Sequence, residues 1–435
     1  MPASPSLIDR QSNDPSFPDV WEELVWRGLV HVSTDAGELK TLLAGEPITY
    51  YCGFDPTAPS LHLGNLVQLL TMRRIQLAGH KPLGLVGGST GLIGDPRPTA
   101  ERTLNTKDTV AEWVGYLQAQ VQRFLSFDGA NAARMVNNLD WTVGLSAIDF
   151  LRDVGKYANV NQMIARESVK ARLESENGIS FTEFSYQLLQ ANDYLHLCRN
   201  HGVDLQVGGS DQWGNLLAGV DLIRRADGKH VHALTWPLLL RSDGHKFGKS
   251  EDGAIWLAAD RTSPYQFFQY WMNVADADIE RFLLQLTLLP VEDCRAIAAE
   301  HAEAPHRRSG QRRLAREVTT IVHGPEATAA AQEASAILFG GSPAGASVQA
   351  LEFLATEVPT SPFTAGVTLA AALAATPLAS SLSDARRTIS QGAVSVNGSV
   401  AGEDRPLVSG DLLYSRWLLL RKGKRNYHLL DAATS

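Results

Sequence analysis

Apolar and polar positions alternate in two rhythms over the first half of the chain. Residues 48–54, I-T-Y-Y-C-G-F, form a short β-branched and aromatic run that suits a buried strand, and Asp55, Pro56, Thr57 and Pro59 then turn the chain. From 66 to 77, Leu66, Leu69, Leu70, Ile75 and Leu77 recur at helical spacing. The alternation repeats with a strand at 82–88, a helix at 108–124 and a strand at 133–138 that ends in polar residues. Largely helical sequence follows over 140–176, with a helix at 179–197 for which Thr182 is a plausible cap. A strand at 204–209, a helix through Arg225 and a last strand at 234–240 complete the series. Residues 20–30 read as helix behind a polar, Pro/Ser-rich arm over 1–20. Strands alternating with helices predict an α/β domain with a parallel, doubly wound sheet. Ligands of such sheets lie beyond the strands' C-terminal ends, and the polar clusters here all follow predicted strands.

The rhythm changes after residue 251. Ser263 and Pro264 have the chemistry of a helix start, and helical patterning then continues until His323-Gly324-Pro325. Arg308, Arg312 and Arg316 lie four apart with Arg307 and Arg313 beside them, which fits either a solvated helix face or a stripe facing RNA. G-G-S-P-A-G-A at 340–346 has linker composition. The last segment carries S-D-A-R-R-T-I-S-Q-G-A-V-S-V-N-G at 383–398, a helix, a Gly turn, a short strand and an Asn-Gly hairpin turn. The expected organisation is an arm over 1–20, an α/β domain over 21–262, an all-α domain over 263–340, a linker over 341–365 and a small α+β unit over 366–435.

A length of 435 residues allows two to four domains at about 150 residues each. The net charge of −8 gives no whole-molecule attraction to nucleic acid, so such a partner needs a local basic patch. Arg386, Arg387, Arg421, Lys422, Lys424 and Arg425 supply one. Cys52, Cys198 and Cys294 are scattered singly, which points to a reducing compartment and against a structural zinc site. With no signal-peptide pattern and no apolar run of membrane-spanning length, the expectation is a soluble cytoplasmic protein.

The sequence H-L-G-N at 62–65 falls where a strand turns into a helix, where free N–H groups and the helix dipole suit a phosphate; taken alone it reads more readily as an ordinary N-cap turn. K-F-G-K-S at 246–250 sets two lysines around a glycine, able to meet anionic oxygens or simply to be a solvated turn. It is no P-loop, because Asp243 stands where that motif needs glycine. G-G-S-T-G at 87–91 resembles a nucleophile elbow, but residues 92–98, with Gly94, Pro96 and Pro98, cannot form the helix that must follow. The dinucleotide fingerprint is absent. His230 and His232 form an isolated H-x-H, read as surface or strand residues and not as a metal site. Tyr186, Gln190 and Asp193 share one helical face, either a satisfied buried hydrogen-bond set or a pocket wall for a small polar ligand. Asp211 and Gln212 follow a strand end and are able to take ribose hydroxyls.

H-L-G-N and K-F-G-K-S together resemble the HIGH and KMSKS signatures of class I aminoacyl-tRNA synthetases. Y-Y-C-G-F-D-P-T at 50–57, G-L-I-G-D-P at 91–96, F-T-E-F-S-Y-Q-L-L-Q at 181–190 and Q-V-G-G-S-D-Q-W-G-N at 206–215 resemble the bacterial tyrosyl branch of that family. The C-terminal unit is similar to the alpha-L RNA-binding domain, and the likeness runs in order over nearly all of 20–435. It implies a Rossmann-like catalytic domain, a helical anticodon-binding domain, an alpha-L-type RNA-binding domain and a homodimer. The implied reaction joins tyrosine to ATP, releasing pyrophosphate, and passes the tyrosyl group to tRNA(Tyr). ATP is then a substrate accompanied by Mg2+, with no tightly bound cofactor and no membrane partner.

Carried over by the resemblance, Thr57, His62 and Asn65 meet the phosphates and ribose, and Lys246 and Lys249 the departing charge. Tyr51 and Asp193 hold the substrate phenol, while Tyr186, Gln190 and Asp95 hold its ammonium group. Asp193 left without its phenol partner then penalises phenylalanine. Gly53, Asp55, Gly64, Gln206, Gly208, Asp211, Gln212 and Ser250 complete the adenylate site, and Arg308, Arg312, Arg386, Arg387, Arg421 and Lys424 face tRNA. Two departures stand out. Asn65 replaces the second His of HIGH, and the loop 95–102 lacks the lysine many relatives carry, leaving Arg97 or Arg102 for that phosphate. Two rivals are a tryptophanyl enzyme, which normally lacks the C-terminal unit and the Tyr51/Asp193 pair, and a non-catalytic RNA-binding protein on the same fold.

Overall fold

Six short strands build the sheet of the first unit: β1 (Val32–Ser33), β2 (Thr49–Phe54), β3 (Lys81–Val86), β4 (Arg134–Asn137), β5 (Val203–Gly209) and β6 (His232–Trp236). Their order is β1-β6-β5-β2-β3-β4. All neighbours pair in parallel except β1, a two-residue edge strand antiparallel to β6 that the hydrophobic pattern was too short to reveal. The chain leaves β2 toward β3 and β4, then returns on the other side to β5 and β6. The order therefore reverses between β2 and β5, which makes a crevice at their C-terminal ends. Tyr51, Leu83, Leu85, Leu195, Leu197, Val203 and Ile223 pack in one buried cluster under it.

The structure is a computed structural model that describes residues 11–96, 104–175, 178–240, 242, 249–250 and 253–434. The chain divides into two units: one runs to Arg261 and takes in Ala275–Gly310, the other comprises Thr262–Val274 and the chain from Gln311 onward.

Several elements differ from their expected form for local reasons. The 179–197 helix spans Phe181–His201, and its cap is Ser180, whose side chain accepts from the Glu183 N–H, not Thr182. Strand β6 stops at Trp236 because Pro237 offers no N–H to a ladder. The helical stretch expected over 140–176 is broken into short pieces, from Leu139–Thr142 to Glu167–Leu173, with a cap by Asn159 before Val160–Ile164. The arm is packed from residue 11 on: Asp14 is buried, its Oδ2 accepts from Val291 N at 2.7 Å, and Asn13 donates to the Arg74 carbonyl.

Two further strands, β7 (Lys249–Ser250) and β8 (Gly253–Ala254), form a hairpin in the first unit. In the second unit, Ser263 caps the Pro264–Met272 helix as its sequence predicts. Segment 341–365, read as linker, carries the helix Val348–Glu357 and strand β9 (Thr360–Pro362). With β10 (Val394–Val396), β11 (Ser399–Val400), β12 (Trp417–Lys422) and β13 (Asn426–Asp431), β9 completes a five-stranded sheet ordered β11-β10-β12-β13-β9. The β10–β11 turn is Asn397-Gly398, both left-handed at φ 48° and 82°, as a tight hairpin requires.

Candidate active site

After β2 the chain reaches His62, which caps a 3₁₀ turn over Leu63–Asn65 that runs into the Leu66–Leu77 helix. His62 Nδ1 accepts from Gly64 N at 3.0 Å, so the neutral ring carries its proton on Nε2. Asn65 Oδ1 accepts from His62 N at 3.1 Å, closing a capping box. A Cβ on Gly64 would stand 2.8 Å from the His62 ring, so this turn is built for glycine.

The segment after β8 lies against the same turn. Leu63 N donates to the Ile255 carbonyl at 2.8 Å, Leu257 N to the Leu61 carbonyl at 2.9 Å, and His62 faces Trp256 with ring centroids 6.4 Å apart. Hairpin β7–β8 therefore ties Lys249 and Ser250 to the H-L-G-N turn through only a few residues of chain. Lys246, Arg97 and Arg102 lie outside the described residues, and Lys249 and Ser250 are described as backbone alone.

Beneath the turn, Asp193 is buried on the Phe181–His201 helix. Asn138 Nδ2 donates to one carboxylate oxygen and Trp141 Nε1 to the other, each at 2.9 Å. Burial pushes the Asp193 carboxyl up to about 7 in spite of those two donors. Tyr51, on β2, is also buried, and its hydroxyl has no hydrogen-bond partner among the described residues. Burial first, and the charge of Asp193 second, raise that phenol well above its ordinary range.

Tyr186, Gln190 and Asp193 stand on the one helix as their spacing predicts. The Tyr186 hydroxyl donates to Asp55 Oδ2 at 2.6 Å, and Thr90 Oγ1 donates to Asp55 Oδ1 at 2.7 Å. Gly87 permits that geometry, since a Cβ there would fall 2.1 Å from Asp55 Oδ1. The G-G-S-T-G segment is followed by a single helical turn, Thr90–Ile93, which ends at Gly94. Asp95 meets Arg166 at 3.2 Å, Gln212 at 3.0 Å and Asn215 at 3.3 Å. Desolvation and the charges of Asp55, Asp95 and Asp193 together raise the Tyr186 phenol, so three carboxylates surround this side chain.

Gly53 sits toward the end of β2 and Gln206 at the middle of the adjacent strand β5, opposite Tyr51. The Gly53 carbonyl accepts from Gln68 Nε2, while Gln206 and Gln190 each hold a buried Oε1 with no partner among the described residues. Gly208 is on β5 and Asp211 with Gln212 on the 3₁₀ turn that follows, Gln212 Nε2 donating to Asp211 at 3.2 Å. Thr57 is exposed in the turn after β2, its N–H on the Asp55 carbonyl. Thr90, Asn138, Trp141, Arg166 and Asn215 join the site without having been singled out in the sequence. The signals were the polar end of the 133–138 strand, which holds Asn138, and the motifs at 87–91 and 206–215, which contain Thr90 and Asn215.

The basic residues divide otherwise than their spacing implies. Arg308 takes a left-handed conformation, φ 53°, immediately before the Ser309–His323 helix, so it is off that helix and the stripe begins at Arg312. In the C-terminal sheet unit Arg386 pairs with Asp404 at 3.3 Å, and Arg387 with Asp384 at 2.8 Å. Lys422 also meets Asp384, at 3.1 Å, and hydrogen bonds from Lys422, Ser380 N and Arg387 hold that carboxyl down at about 2. Arg421 donates to the Gly340 carbonyl, and Lys424 is exposed in the β12–β13 turn.

A doubly wound sheet with an H-L-G-N turn at its switch point, joined to the hairpin that carries Lys249 and Ser250, is the arrangement of a class I tRNA synthetase. The chain matches the model of the tRNA synthetases class I (W and Y) over residues 43–340 and belongs to that family. Within it the chain falls among the tyrosine–tRNA ligases, as residues 350–430 also match the tyrosine–tRNA ligase SYY-like C-terminal domain. It is 58% identical to the tyrosine–tRNA ligase of Leifsonia xyli subsp. xyli over 96% of this chain and 95% of that protein. It is 54% identical to that of Streptomyces avermitilis over 94% and 97%. A C-terminally truncated mitochondrial tyrosyl-tRNA synthetase from Aspergillus nidulans superposes with a TM-score of 0.67 at 28% identity, over 75% of this chain and 95% of that one.

Proposed function

We propose that this chain activates L-tyrosine with ATP and transfers it to the 3′ end of tRNA(Tyr). The observation that carries the reading is the buried pair of Tyr51, whose hydroxyl has no partner among the described residues, and Asp193, held by two donors on a helix beside the sheet's switch point. An apolar substrate would leave the Tyr51 hydroxyl unsatisfied at a cost of about 1–3 kcal/mol, whereas a phenol satisfies it and adds a further donor to the Asp193 carboxylate.

In the first step a tyrosine carboxylate oxygen forms a bond to the ATP α-phosphorus as the bond to pyrophosphate breaks. In the second a ribose hydroxyl of the tRNA terminus attacks the tyrosyl carbonyl and AMP leaves. The nucleophile of the first step is already charged, so the protein's part is positioning and stabilisation of the leaving charge. In this reading Asp193 accepts the substrate's phenol proton and Tyr51 donates to or accepts from the phenol oxygen. Tyr186, Gln190 and Asp95 take the ammonium group, where the three carboxylates around Tyr186 favour a cation. Thr57, His62 through Nε2–H, and Asn65 meet the phosphates and ribose. Gly53, Asp55, Gly64, Gln206, Gly208, Asp211 and Gln212 hold the adenylate, and Lys246, Lys249 and Ser250 the pyrophosphate. Mg2+ enters with ATP as part of that substrate.

We further infer a homodimer, supported by the apolar side chains Val143, Ile148, Leu151 and Val160, all more than half exposed along the broken helical stretch. Arg308, Arg312, Arg386, Arg387, Arg421 and Lys424 are assigned to tRNA. Cytoplasmic residence fits three buried free cysteines. Among the described residues no helix is long and apolar enough to cross a membrane.

ATP–pyrophosphate exchange with each amino acid in turn tests the reading. Exchange with tyrosine alone is expected; exchange with tryptophan instead would overturn the pocket, and none at all would leave an RNA-binding protein. Lys249→Ala should reduce exchange strongly and Arg97→Ala modestly, and wild-type rates for Lys249→Ala would remove the lysine from the mechanism.

A further inference from the structure

At the opposite end of the sheet from the active site the fold gathers three side chains of ligand type. His232 opens β6, His230 stands two residues before it, and Glu38 comes from the distant Ala36–Ala44 helix. His230 Nδ1 lies 3.3 Å from Glu38 Oε2. The two imidazoles meet edge-on with centroids 5.1 Å apart. One ligand atom from each of the three residues lies within 4.8 Å of the other two, and among the described residues no other group of His, Cys, Asp or Glu is so gathered. The H-x-H spacing was visible in the sequence; its carboxylate partner was not.

We propose that Glu38, His230 and His232 bind a divalent transition-metal ion of the zinc class, with at least one coordination position left to water. Two imidazoles and a carboxylate are a donor set that suits Zn2+, Co2+ or Ni2+ and leaves a ring of open positions. With metal–ligand bonds of about 2.0–2.1 Å, ligand atoms in a tetrahedral site stand roughly 3.3 Å apart. Glu38 and His230 are at that spacing already. Their side chains are 53% and 64% exposed, so both are free to close the remaining gap to the buried His232.

His232 is the fixed member. Thr34 Oγ1 lies 3.4 Å from its Nδ1, an outer contact of the kind that orients a ligating ring. Burial and the neighbouring His230 hold the imidazole below its ordinary pKa, which keeps it in the neutral, ligating form. The carboxylates of Glu38, Asp204 and Asp35 add negative charge around it, opposed by Lys229 near Asp204. A bound ion would tie the Ala36–Ala44 helix to the start of β6. Because β5 and β6 run parallel, this lies at the strands' N-terminal ends, away from the crevice where tyrosine and ATP are assigned. The ion is therefore structural, and its loss should not alter adenylate formation.

The test is titration of the tag-free, chelator-stripped protein with Co2+, followed by visible absorption, and with Zn2+, followed by calorimetry and thermal melting. The native chain is expected to take up about one ion with a dissociation constant on the order of micromolar and to melt higher with Zn2+. Glu38→Gln and His230→Ala, both at exposed positions, should bind at least about tenfold more weakly and lose the Zn2+-dependent rise in melting temperature. Their circular dichroism and tyrosine-dependent exchange should match the native protein. Variants that bind as tightly as the native chain would place the ion elsewhere and overturn the proposal. No binding by the native chain at about 100 μM would reduce the site to a Glu38–His230 ion pair and overturn it equally.

Discussion

Asp193 carries the sharpest consequence at the scale of single residues. Its carboxyl titrates at about 7, raised by burial. In the proposed pocket a tyrosine phenol needs the ionised form as acceptor, so bound tyrosine would lower that pKa. Affinity is then complete above pH 7 and falls as pH drops through it, by about tenfold per unit. The tyrosine KM measured by pyrophosphate exchange between pH 5.5 and 8.5 should show that limb, about one unit of log KM per pH unit, while the ATP KM does not. Asn138 anchors the same carboxylate and also receives Ser89 N at 2.7 Å and donates to Thr90 at 3.0 Å. Asn138→Ala should raise the tyrosine KM roughly tenfold and move the limb to higher pH, because one of the two donors that favour ionisation is gone. An unmoved limb would separate Asn138 from Asp193. Asp193, Gln190 and Tyr186 were legible in the sequence because helical spacing is local. Asn138, Trp141 and Thr90 were not, because their roles depend on strands and turns that meet only after folding.

At the scale of elements, the strand ends set the site and the glycines after them set its tolerances. Gly87 follows β3 where Asp55, held by Tyr186 and Thr90, leaves no room for a methyl group. Gly87→Ala should cost about 1–3 kcal/mol of stability, read as a lower melting temperature. It should also slow exchange on the order of 100-fold by displacing Asp55. A variant with lowered stability but native exchange would show that the Asp55 position is not used in the reaction. The parallel sheet and its helices were readable because buried runs and amphipathic stretches alternate cleanly. The breaks between 139 and 173 were not, since single caps such as Asn159 decide them against a helical background. The left-handed turn at Arg308 escaped for the same reason, because four-residue spacing cannot report a chain reversal just before the helix.

At the scale of the whole molecule, the proposed dimer and tRNA contacts rest on surfaces that the active site does not contain. Val143 and Ile148 are 77% and 70% exposed, an apolar cost that the proposed association would remove. Ile148→Asp should convert a dimer to a monomer by light scattering, and a native dimer in that variant would move the interface elsewhere. Charge supplies the second surface. The molecule is acidic overall, at −8, so the proposed attraction to tRNA needs local basic patches, one of them in the C-terminal sheet unit, which carries Arg386, Arg387, Lys422 and Lys424. Arg386 and Arg387 pair with Asp404 and Asp384, so in the proposed contact each pair would have to loosen to meet a phosphate, moderating affinity while preserving its salt dependence. Arg386→Glu with Arg387→Glu should leave tyrosine-dependent exchange at its native rate and weaken tRNA charging. The slope of log binding constant against log salt should become shallower by about 0.7–0.9 for each phosphate that the variant no longer neutralises. Exchange and charging that fall together would mean that these arginines support the fold; charging and a salt slope that both stay native would move the tRNA surface away from them.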